Sequence, residues 1–352
     1  MNRRLGLVAA SVAGVAAVVG TGVAVERRLV GRARNAADPY ADVAFGDRHT
    51  EPIIVTANDG VPLQVETDGD EVAALTIVFV HGFTLSMDCW HFQRSEFAGE
   101  ARLVFYDQRS HGVSGRSPRE HSTIDQLGQD LYDVLSSVVP TGPVVLVGHS
   151  MGGMTILALA DSHPELFGDR IVGVALLSTA AGAFAEGILG IPGIIGRAIR
   201  PVAPGAIRAA NRQAHVLEQG RRAGSDVAFM LTRRFSFGAN PPPSLVAFME
   251  HMIAATSVEV MTEFFDTFLT HDKLDALKVL DPVPTVIICG DKDMLTPAKN
   301  SHAMADSLPN AELVVVPGAG HMVMLERPAV VDGALRRLLA RAQFDYKSNR
   351  PA

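Results

Sequence analysis

The chain alternates short apolar runs with longer amphipathic stretches. Such runs, about four to eight residues long, are typical of strands buried on both faces of a sheet. A helix is predicted around Ile124–Val138, between two of them. The alternation predicts an α/β protein with a mostly parallel central sheet and helices on both faces. The runs are Leu75–Val80, Leu103–Tyr106, Pro143–Val147, Ile171–Leu177, Val283–Gly290 and Leu313–Val316.

The beginning of the sheet is predicted to be a hairpin. Ile53–Val55 and Leu63–Val65 are apolar, and the turn sequence Asn58-Asp59-Gly60 lies between them. Two apolar runs joined by a short Asn/Asp-Gly turn favour antiparallel pairing. The folded core is therefore expected to begin near residue 51, after a polar connector at residues 31–50.

The alternation stops after Ile171–Leu177. About a hundred residues precede the next predicted strand, far more than a plain connection needs. We predict that residues 180–281 form a helical cap inserted after strand six. Within it, Thr256 and Glu259 are expected to form a capping box, and Ser244 is expected to cap another helix.

One apolar stretch of the predicted cap, Gly187–Gly196, is rich in glycine and isoleucine and is a poor helix former. Two interpretations are open. The stretch could be a mobile lid over a site, or it could be a packing seam between the cap and the core.

The sequence Gly148-His149-Ser150-Met151-Gly152 lies between the predicted strand Pro143–Val147 and a helix-like stretch. In a strand-turn-helix context, the serine of G-x-S-x-G is held in a sharp turn with its hydroxyl exposed. Side chains at the two glycine positions would collide with the neighbouring strand or helix. The alternative interpretation of Ser150 is an ordinary helix N-cap.

Partners for a nucleophilic serine follow two later strands. Asp291 and Asp293 come directly after Val283–Gly290, and His321 follows Leu313–Val316. A serine hydroxyl needs a neutral imidazole to accept its proton and a buried carboxylate to orient that imidazole. Ser150, His321 and one of the two aspartates could supply this set, although His321 could also be a surface residue that begins the last helix.

These motifs together resemble the α/β-hydrolase superfamily over roughly residues 51–345. The resemblance implies the chain order serine, acid, histidine and selects Asp293, three residues after Gly290, as the acid. The motifs are His81-Gly82-Phe83, Asp107–Gly112, Gly148–Gly153, Gly290–Asp293 and Gly320-His321.

The same resemblance implies an oxyanion hole formed by the backbone N–H groups of Phe83 and Met151. It also implies that Asp107 and Arg109 brace the turns near the active site. Ser110 stands where the family usually has glycine, so the geometry of that loop is expected to differ slightly.

We expect a serine hydrolase that cleaves carboxylic esters or thioesters of apolar acyl groups through an acyl-enzyme. Haloalkane dehalogenases and epoxide hydrolases have an aspartate at the nucleophile position, so Ser150 argues against both. Carbon–carbon bond hydrolases and cofactor-free haloperoxidases of the same superfamily remain alternatives. A non-catalytic ligand-binding homologue is the alternative of a different class, and the intact triad disfavours it.

Composition narrows the function further. The chain has 352 residues, of which 47% are hydrophobic and 20% are charged, as expected for a folded protein with a large core. A net charge of -7 argues against broad nucleic-acid binding. Cys89 and Cys289 give no disulfide framework. No metal site is evident and no cofactor is expected.

The amino terminus carries an uncharged run, Leu5–Val25, with arginines on both sides. About twenty such residues can span a bilayer, which predicts a transmembrane helix and a single-pass, membrane-anchored protein. A cleaved signal peptide, which would make the protein secreted, and a buried soluble helix are the alternatives. More arginines follow the run than precede it, which favours a cytoplasmic enzyme, but translocated domains often override this rule.

These patterns divide the chain into an amino-terminal membrane segment, a linker, and a core interrupted by the cap. The expected partners are a small ester or lipid-like substrate and a membrane, without nucleic acid. The predicted segments are the anchor or signal at 1–30, the linker at 31–50, the two parts of the core at 51–179 and 282–345, and the cap at 180–281.

Overall fold

Strands and helices alternate in this computed structural model, which describes residues 31, 33–182 and 226–348. The strands are β1 (Ile53–Thr56), β2 (Pro62–Gly69), β3 (Thr76–Val80), β4 (Arg102–Tyr106), β5 (Val144–His149), β6 (Ile171–Leu177), β7 (Thr285–Gly290) and β8 (Glu312–Val316). The helices are α1 (His91–Phe97), α2 (Ile124–Val138), α3 (Met151–Ser162), α4 (Asp226–Ser236), α5 (Pro243–Ala255), α6 (Val258–Thr270), α7 (Ala298–Ser307), α8 (Val323–Glu326) and α9 (Pro328–Ser348).

The strands form one eight-stranded sheet in the order β1-β2-β4-β3-β5-β6-β7-β8. The pairs β1–β2 and β2–β4 are antiparallel, and the other neighbours are parallel. The predicted hairpin and the mostly parallel sheet are therefore confirmed. Parallel pairing brings the carboxyl ends of β3, β5, β7 and β8 to one edge of the sheet, where the predicted site residues follow.

Apolar side chains alternate between the two faces of the sheet, as strand geometry requires. In β3, Ile77 and Phe79 belong to one buried cluster, which also contains residues of α1 and α9. Val78 and Val80 belong to a second cluster, which contains residues of α2 and α3. Because both faces are covered, β3 is buried along its whole length, which explains its continuous apolar sequence.

Three described helices, α4, α5 and α6, lie between β6 and β7 in the chain, and we call them the cap helices. The prediction that Thr256 begins a capping box is wrong. Ser257 is the N-cap of α6, and its hydroxyl accepts the N–H of Val260 at 3.3 Å. Thr256 is buried and follows the end of α5, donating its N–H to the carbonyl of Ile253, so it cannot serve as the cap.

The start of α5 also differs from its prediction. Ser244 lies inside the first turn, because Pro243 already begins the helix with a favourable fixed φ. The cap comes instead from Asp38, whose carboxylate accepts both the N–H and the hydroxyl of Ser244 at 2.8 Å. A residue of the predicted linker therefore accepts hydrogen bonds from the first turn of a cap helix that lies 206 positions away in sequence.

Aromatic residues of the predicted linker strengthen this connection. The ring of Phe45 stacks on Phe248 of α5 with centroids 4.9 Å apart, and Tyr40 lies 5.3 Å from Phe92 of α1. Aromatic pairs of this kind contribute roughly 0.5–1.5 kcal/mol beyond their buried area. The linker thus joins α5 to the core.

Within residues 31, 33–182 and 226–348, no single helix is long and apolar enough to cross a bilayer. The pair α5 and α6 meets the length and composition criterion when taken together, but the two helices are bent by 92°. The predicted transmembrane helix at Leu5–Val25 and the apolar stretch Gly187–Gly196 lie outside the described residues.

Candidate active site

Ser150 occupies the turn between β5 and α3 in an unusual backbone conformation, with φ 53° and ψ −117°. Positive φ is uncommon for a residue with a side chain and persists where neighbouring structure enforces it. The N–H of Ser150 donates to the carbonyl of Leu177 at 2.9 Å. Its own carbonyl accepts the N–H of Gly153 at 3.0 Å and the hydroxyl of Thr179 at 2.7 Å. These bonds hold Ser150 in its strained turn.

The glycines on either side of Ser150 have the predicted steric role. A Cβ on Gly148 would lie 2.6 Å from the carbonyl oxygen of Gly152 and from the end of Ile156 on α3. A Cβ on Gly152 would overlap the carbonyl of Val80 in β3. The turn can therefore pack between the sheet and the helix because both positions lack side chains.

The structure brings His321 and Asp293 together. The Nδ1 atom of His321 lies 2.9 Å from Oδ2 of Asp293, and both side chains are buried. The Asp293 carboxylate also accepts the N–H groups of Leu295 and Thr296 at 2.9 Å and the Thr296 hydroxyl at 2.8 Å. Burial raises the pKa of Asp293, but His321 and the two donors of Thr296 outweigh it and hold the pKa below its ordinary value.

The carboxylate of Asp291, the other candidate acid, contacts groups other than His321. Its Oδ1 atom accepts the N–H of Gly318 at 2.6 Å, and its Oδ2 atom lies 3.3 Å from the ammonium of Lys292. About a third of its side chain is exposed, 35% against 0% for Asp293. The geometry therefore assigns Asp291 to the support of a loop.

The loop after β3 lies against the turn that holds Ser150. A Cβ on Gly82 would lie 3.1 Å from Cβ of Ser150, so the backbones approach closely. In the part of the chain that the structure describes, neither the N–H of Phe83 nor that of Met151 donates to a protein acceptor. Both predicted oxyanion donors are thus unpaired beside Ser150, and the Met151 N–H lies at the amino terminus of α3.

His149 also belongs to the candidate site, which the sequence motifs alone did not indicate. Its side chain lines the same cavity as Ser150. Its Nε2 atom lies 3.0 Å from the carbonyl oxygen of His321, and the two rings are 4.8 Å apart. Burial lowers the pKa of His149 to about 3, so it is neutral near pH 7. The sequence signal for this location was the position of His149 next to Ser150 in the G-x-S-x-G motif.

The loop after β4 is braced as the resemblance implied. Oδ1 and Oδ2 of Asp107 accept the N–H groups of Met87 and Val113 at 2.8 and 2.9 Å. The buried guanidinium of Arg109 is bound by carboxylates, including that of Asp130 at 2.6 Å. Ser110 adopts φ 64°, the left-handed conformation that glycine usually provides. Ser110 therefore adopts a backbone conformation that glycine favours.

Ser150 and His321 open into a cavity of about 340 Å³. Eight of its eighteen described lining residues come from the cap helices, and the lining is rich in aromatic and aliphatic side chains. None of the described lining residues is Asp, Glu, Lys or Arg. These residues are Phe83, Thr84, Leu85, His149, Ser150, Met154, Leu231, Thr232, Phe235, Ser236, Met249, Ile253, Phe265, Phe268, Leu295, Thr296, His321 and Met322. The cavity suits an uncharged, mainly apolar group.

Within the described ranges, no group of three or more His, Cys, Asp or Glu side chains could hold a metal ion. Cys89 and Cys289 are both buried and free. Burial raises the pKa of each thiol, which leaves both cysteines poor nucleophiles.

A family model and several known proteins match this chain. The sequence model of the alpha/beta hydrolase family matches residues 77–334, a range that contains all the predicted site residues. The chain is 28% identical over 257 residues to the dihydrolipoyllysine-residue acetyltransferase component of the acetoin cleaving system of Pseudomonas putida. That alignment covers 71% of this chain and 59% of the relative, so the chain spans less than two thirds of it.

Two further proteins are similar over most of their length. The non-heme chloroperoxidase CPO-A1 of Kitasatospora aureofaciens is 27% identical over 287 residues, which cover 77% of this chain and 93% of that protein. The solved structure of a thermophilic esterase from Thermogutta terrifontis superposes with a TM-score of 0.65 at 26% identity. It covers 83% of this chain and 99% of the esterase.

Proposed function

The chain belongs to the alpha/beta hydrolase family, and from this membership we propose that it is a serine hydrolase acting on esters or thioesters of apolar acyl groups. The observation that carries the proposal is the opening of Ser150 and the Asp293-bound His321 into one apolar cavity. Similarity to an esterase structure at 26% identity supports it.

In the proposed acylation step, Ser150 Oγ attacks the carbonyl carbon of the substrate while Nε2 of His321 accepts the hydroxyl proton. Asp293 keeps the remaining proton on Nδ1 and stabilises the imidazolium. The N–H groups of Phe83 and Met151 stabilise the negative oxygen of the tetrahedral intermediate. The intermediate then collapses as His321 returns the proton to the departing alcohol or thiol, which leaves the acyl group on Ser150.

Deacylation repeats these steps with water as the nucleophile. His321 accepts a proton from the water as it attacks the acyl carbon, and the same N–H groups stabilise the new oxyanion. Release of the carboxylic acid returns the proton to Ser150. His149 nearby is a poor proton acceptor, because burial lowers its pKa to about 3.

The similarity to a non-heme chloroperoxidase favours a second candidate, a cofactor-free haloperoxidase with the same serine, histidine and aspartate. An assay of peroxide-dependent halogenation beside ester hydrolysis separates the two. The first proposal predicts that hydrolysis is the faster reaction with wild-type protein, and faster halogenation would favour the second.

The apolar cavity predicts a preference for longer acyl chains. Each methylene buried against its walls contributes about 0.8 kcal/mol, or about a fourfold gain in kcat/KM. With p-nitrophenyl esters, kcat/KM should rise through short and medium acyl chains and then level or fall once the cavity is full. A flat profile, or fastest turnover of the acetate ester, would show that the apolar residues serve packing alone.

A larger wall residue should shorten the preferred acyl chain. Ile253 of α5 lines the cavity, so Ile253→Phe is expected to move the optimum towards shorter esters. His251 lies on the same helix with an exposed side chain, and His251→Phe is the matched control. An equal shift in both variants would indicate a general disturbance of α5.

We also propose membrane anchoring through Leu5–Val25. The full chain should sediment with membranes and resist extraction by high salt, whereas a chain beginning at Ala37 should be soluble and active. Release by salt alone would contradict an integral span, and a mature amino terminus near Val25 would reveal a cleaved signal.

A second truncation tests whether the contacts of the linker stabilise α5. A chain beginning at Asp47 lacks Asp38 and Phe45, which hold α5. Its free energy of unfolding should be lower than that of the chain beginning at Ala37 by at least about 1 kcal/mol, the usual cost of a lost N-cap. Equal thermal midpoints would show that these contacts do not stabilise the cap helices.

A further inference from the structure

The loop that carries His321 is bonded to the segment that follows α4. The N–H of Met322 donates to the carbonyl of Ser236 at 3.0 Å, and the N–H of Ala239 donates to the carbonyl of Gly318 at 3.2 Å. These two bonds flank His321 on both sides. Because Ser236 also lines the cavity, the backbone that carries His321 is joined directly to the cavity wall.

Three glycines allow close approach of the backbones at this junction. A Cβ on Gly238 would overlap the carbonyl of Gly318, and a Cβ on Gly320 would overlap the backbone of Phe237 and Gly238. On the other side, a Cβ on Gly290 at the end of β7 would overlap the carbonyls of Ala319 and Gly320. The loop is thus packed between the sheet and the end of α4.

The Glu326 side chain joins the same two segments. Its Oε1 atom accepts the N–H of Gly320 at 2.7 Å, and its Oε2 atom accepts the N–H of Gly238 at 2.8 Å. The side chain is buried, with 9% of the residue exposed. A buried carboxylate that loses such a partner pays a larger penalty than a neutral group, so both bonds resist breaking.

We propose that Glu326 is a positioning residue that holds the His321 loop and the end of α4 as one unit. Glu326 thereby fixes the position of His321 relative to the cavity wall at the end of α4. A substrate group that packs against this wall therefore also stabilises the working position of His321. This inference rests on the proposed role of His321.

Glu326→Gln is the direct test. The amide keeps one acceptor oxygen and replaces the other with a donor, so one of the two N–H groups loses its partner. We expect kcat for p-nitrophenyl ester hydrolysis to fall about 10- to 100-fold, the cost of a misplaced catalytic group, with KM changed by less than about threefold. Glu312→Gln on β8, whose side chain pairs with Arg337 at the surface, is the matched control and should retain wild-type kcat.

Hydrogen–deuterium exchange gives a second readout that needs no activity. In Glu326→Gln, peptides covering residues 236–240 and 317–322 should both exchange faster, by about tenfold or more, as expected for loss of one charge-assisted hydrogen bond. Faster exchange in one peptide alone, or an unchanged kcat, would overturn the inference. If the glutamine variant does not fold, Glu326→Asp, which is too short to reach both N–H groups, is measured in the same two ways.

The two readouts separate this inference from the proposed function. A wild-type protein without esterase activity would contradict the proposed function, while paired exchange would still report the coupling. An active wild type whose glutamine variant keeps its kcat and its exchange rates would contradict the role of Glu326.

Discussion

Ser150→Ala is expected to lower kcat for ester hydrolysis by about 10⁶-fold, the loss seen when a serine hydrolase lacks its nucleophile. Without the hydroxyl no acyl-enzyme forms, whereas the oxyanion donors and the cavity remain. The fold should persist, because the bonds that hold the turn come from the backbone of Ser150. Steady-state kinetics and a thermal unfolding curve on the same sample check both expectations.

Ser162→Ala provides the control for this variant. Ser162 lies at the end of the same helix, α3, and its hydroxyl donates to the carbonyl of Ala158 at 2.9 Å. It should retain wild-type kcat. Hydrolysis by Ser150→Ala within tenfold of the wild-type rate would contradict covalent catalysis by Ser150.

Asp293→Asn is expected to lower kcat by about 10⁴-fold, because an asparagine favours the wrong tautomer of His321 and cannot stabilise the imidazolium. The asparagine oxygen can still accept the N–H groups of Leu295 and Thr296, so the loop should keep its shape. Asp291→Asn should remain close to wild type, because the carboxylate of Asp291 contacts the N–H of Gly318, whereas the carboxylate on His321 is that of Asp293. Kinetics of the two variants in parallel give the comparison, and a larger loss in Asp291→Asn would contradict the assignment.

The sheet and the candidate site were predictable because their signals are local. Each central strand is buried on both faces, so its apolar run is continuous, and each site residue lies within five positions of the end of an apolar run. Parallel pairing then gathers the strand ends at one edge of the sheet without further information. The family resemblance added the choice of Asp293 over Asp291, which the spacing of residues alone left open.

The helix caps show where local reasoning failed. Ser244 and Thr256 have side chains typical of N-caps, and each lies near a helix start. At α5, Pro243 begins the helix earlier and the carboxylate of Asp38 supplies the cap from 206 residues away. At α6, the equally suitable Ser257 stands one position later. A sequence pattern contains neither the tertiary partner nor the burial of Thr256 that decided these cases.

The backbone partners of His149 and Glu326 were not predictable for a related reason. Both side chains bind backbone groups of distant segments: His149 contacts the carbonyl of His321, and Glu326 contacts the N–H groups of Gly238 and Gly320. Backbone groups are present at every position, so the sequence carries no mark of such a partner. Only the folded structure shows these contacts, because folding brings the distant segments together.

Labelling with a fluorophosphonate probe, followed by peptide mass spectrometry, tests whether Ser150 is an activated nucleophile. We expect a covalent adduct on Ser150 in the native wild-type protein, slower labelling in Asp293→Asn, and no adduct after heat denaturation. A native, folded protein that leaves Ser150 unlabelled, or that carries the adduct on another residue, would contradict this expectation.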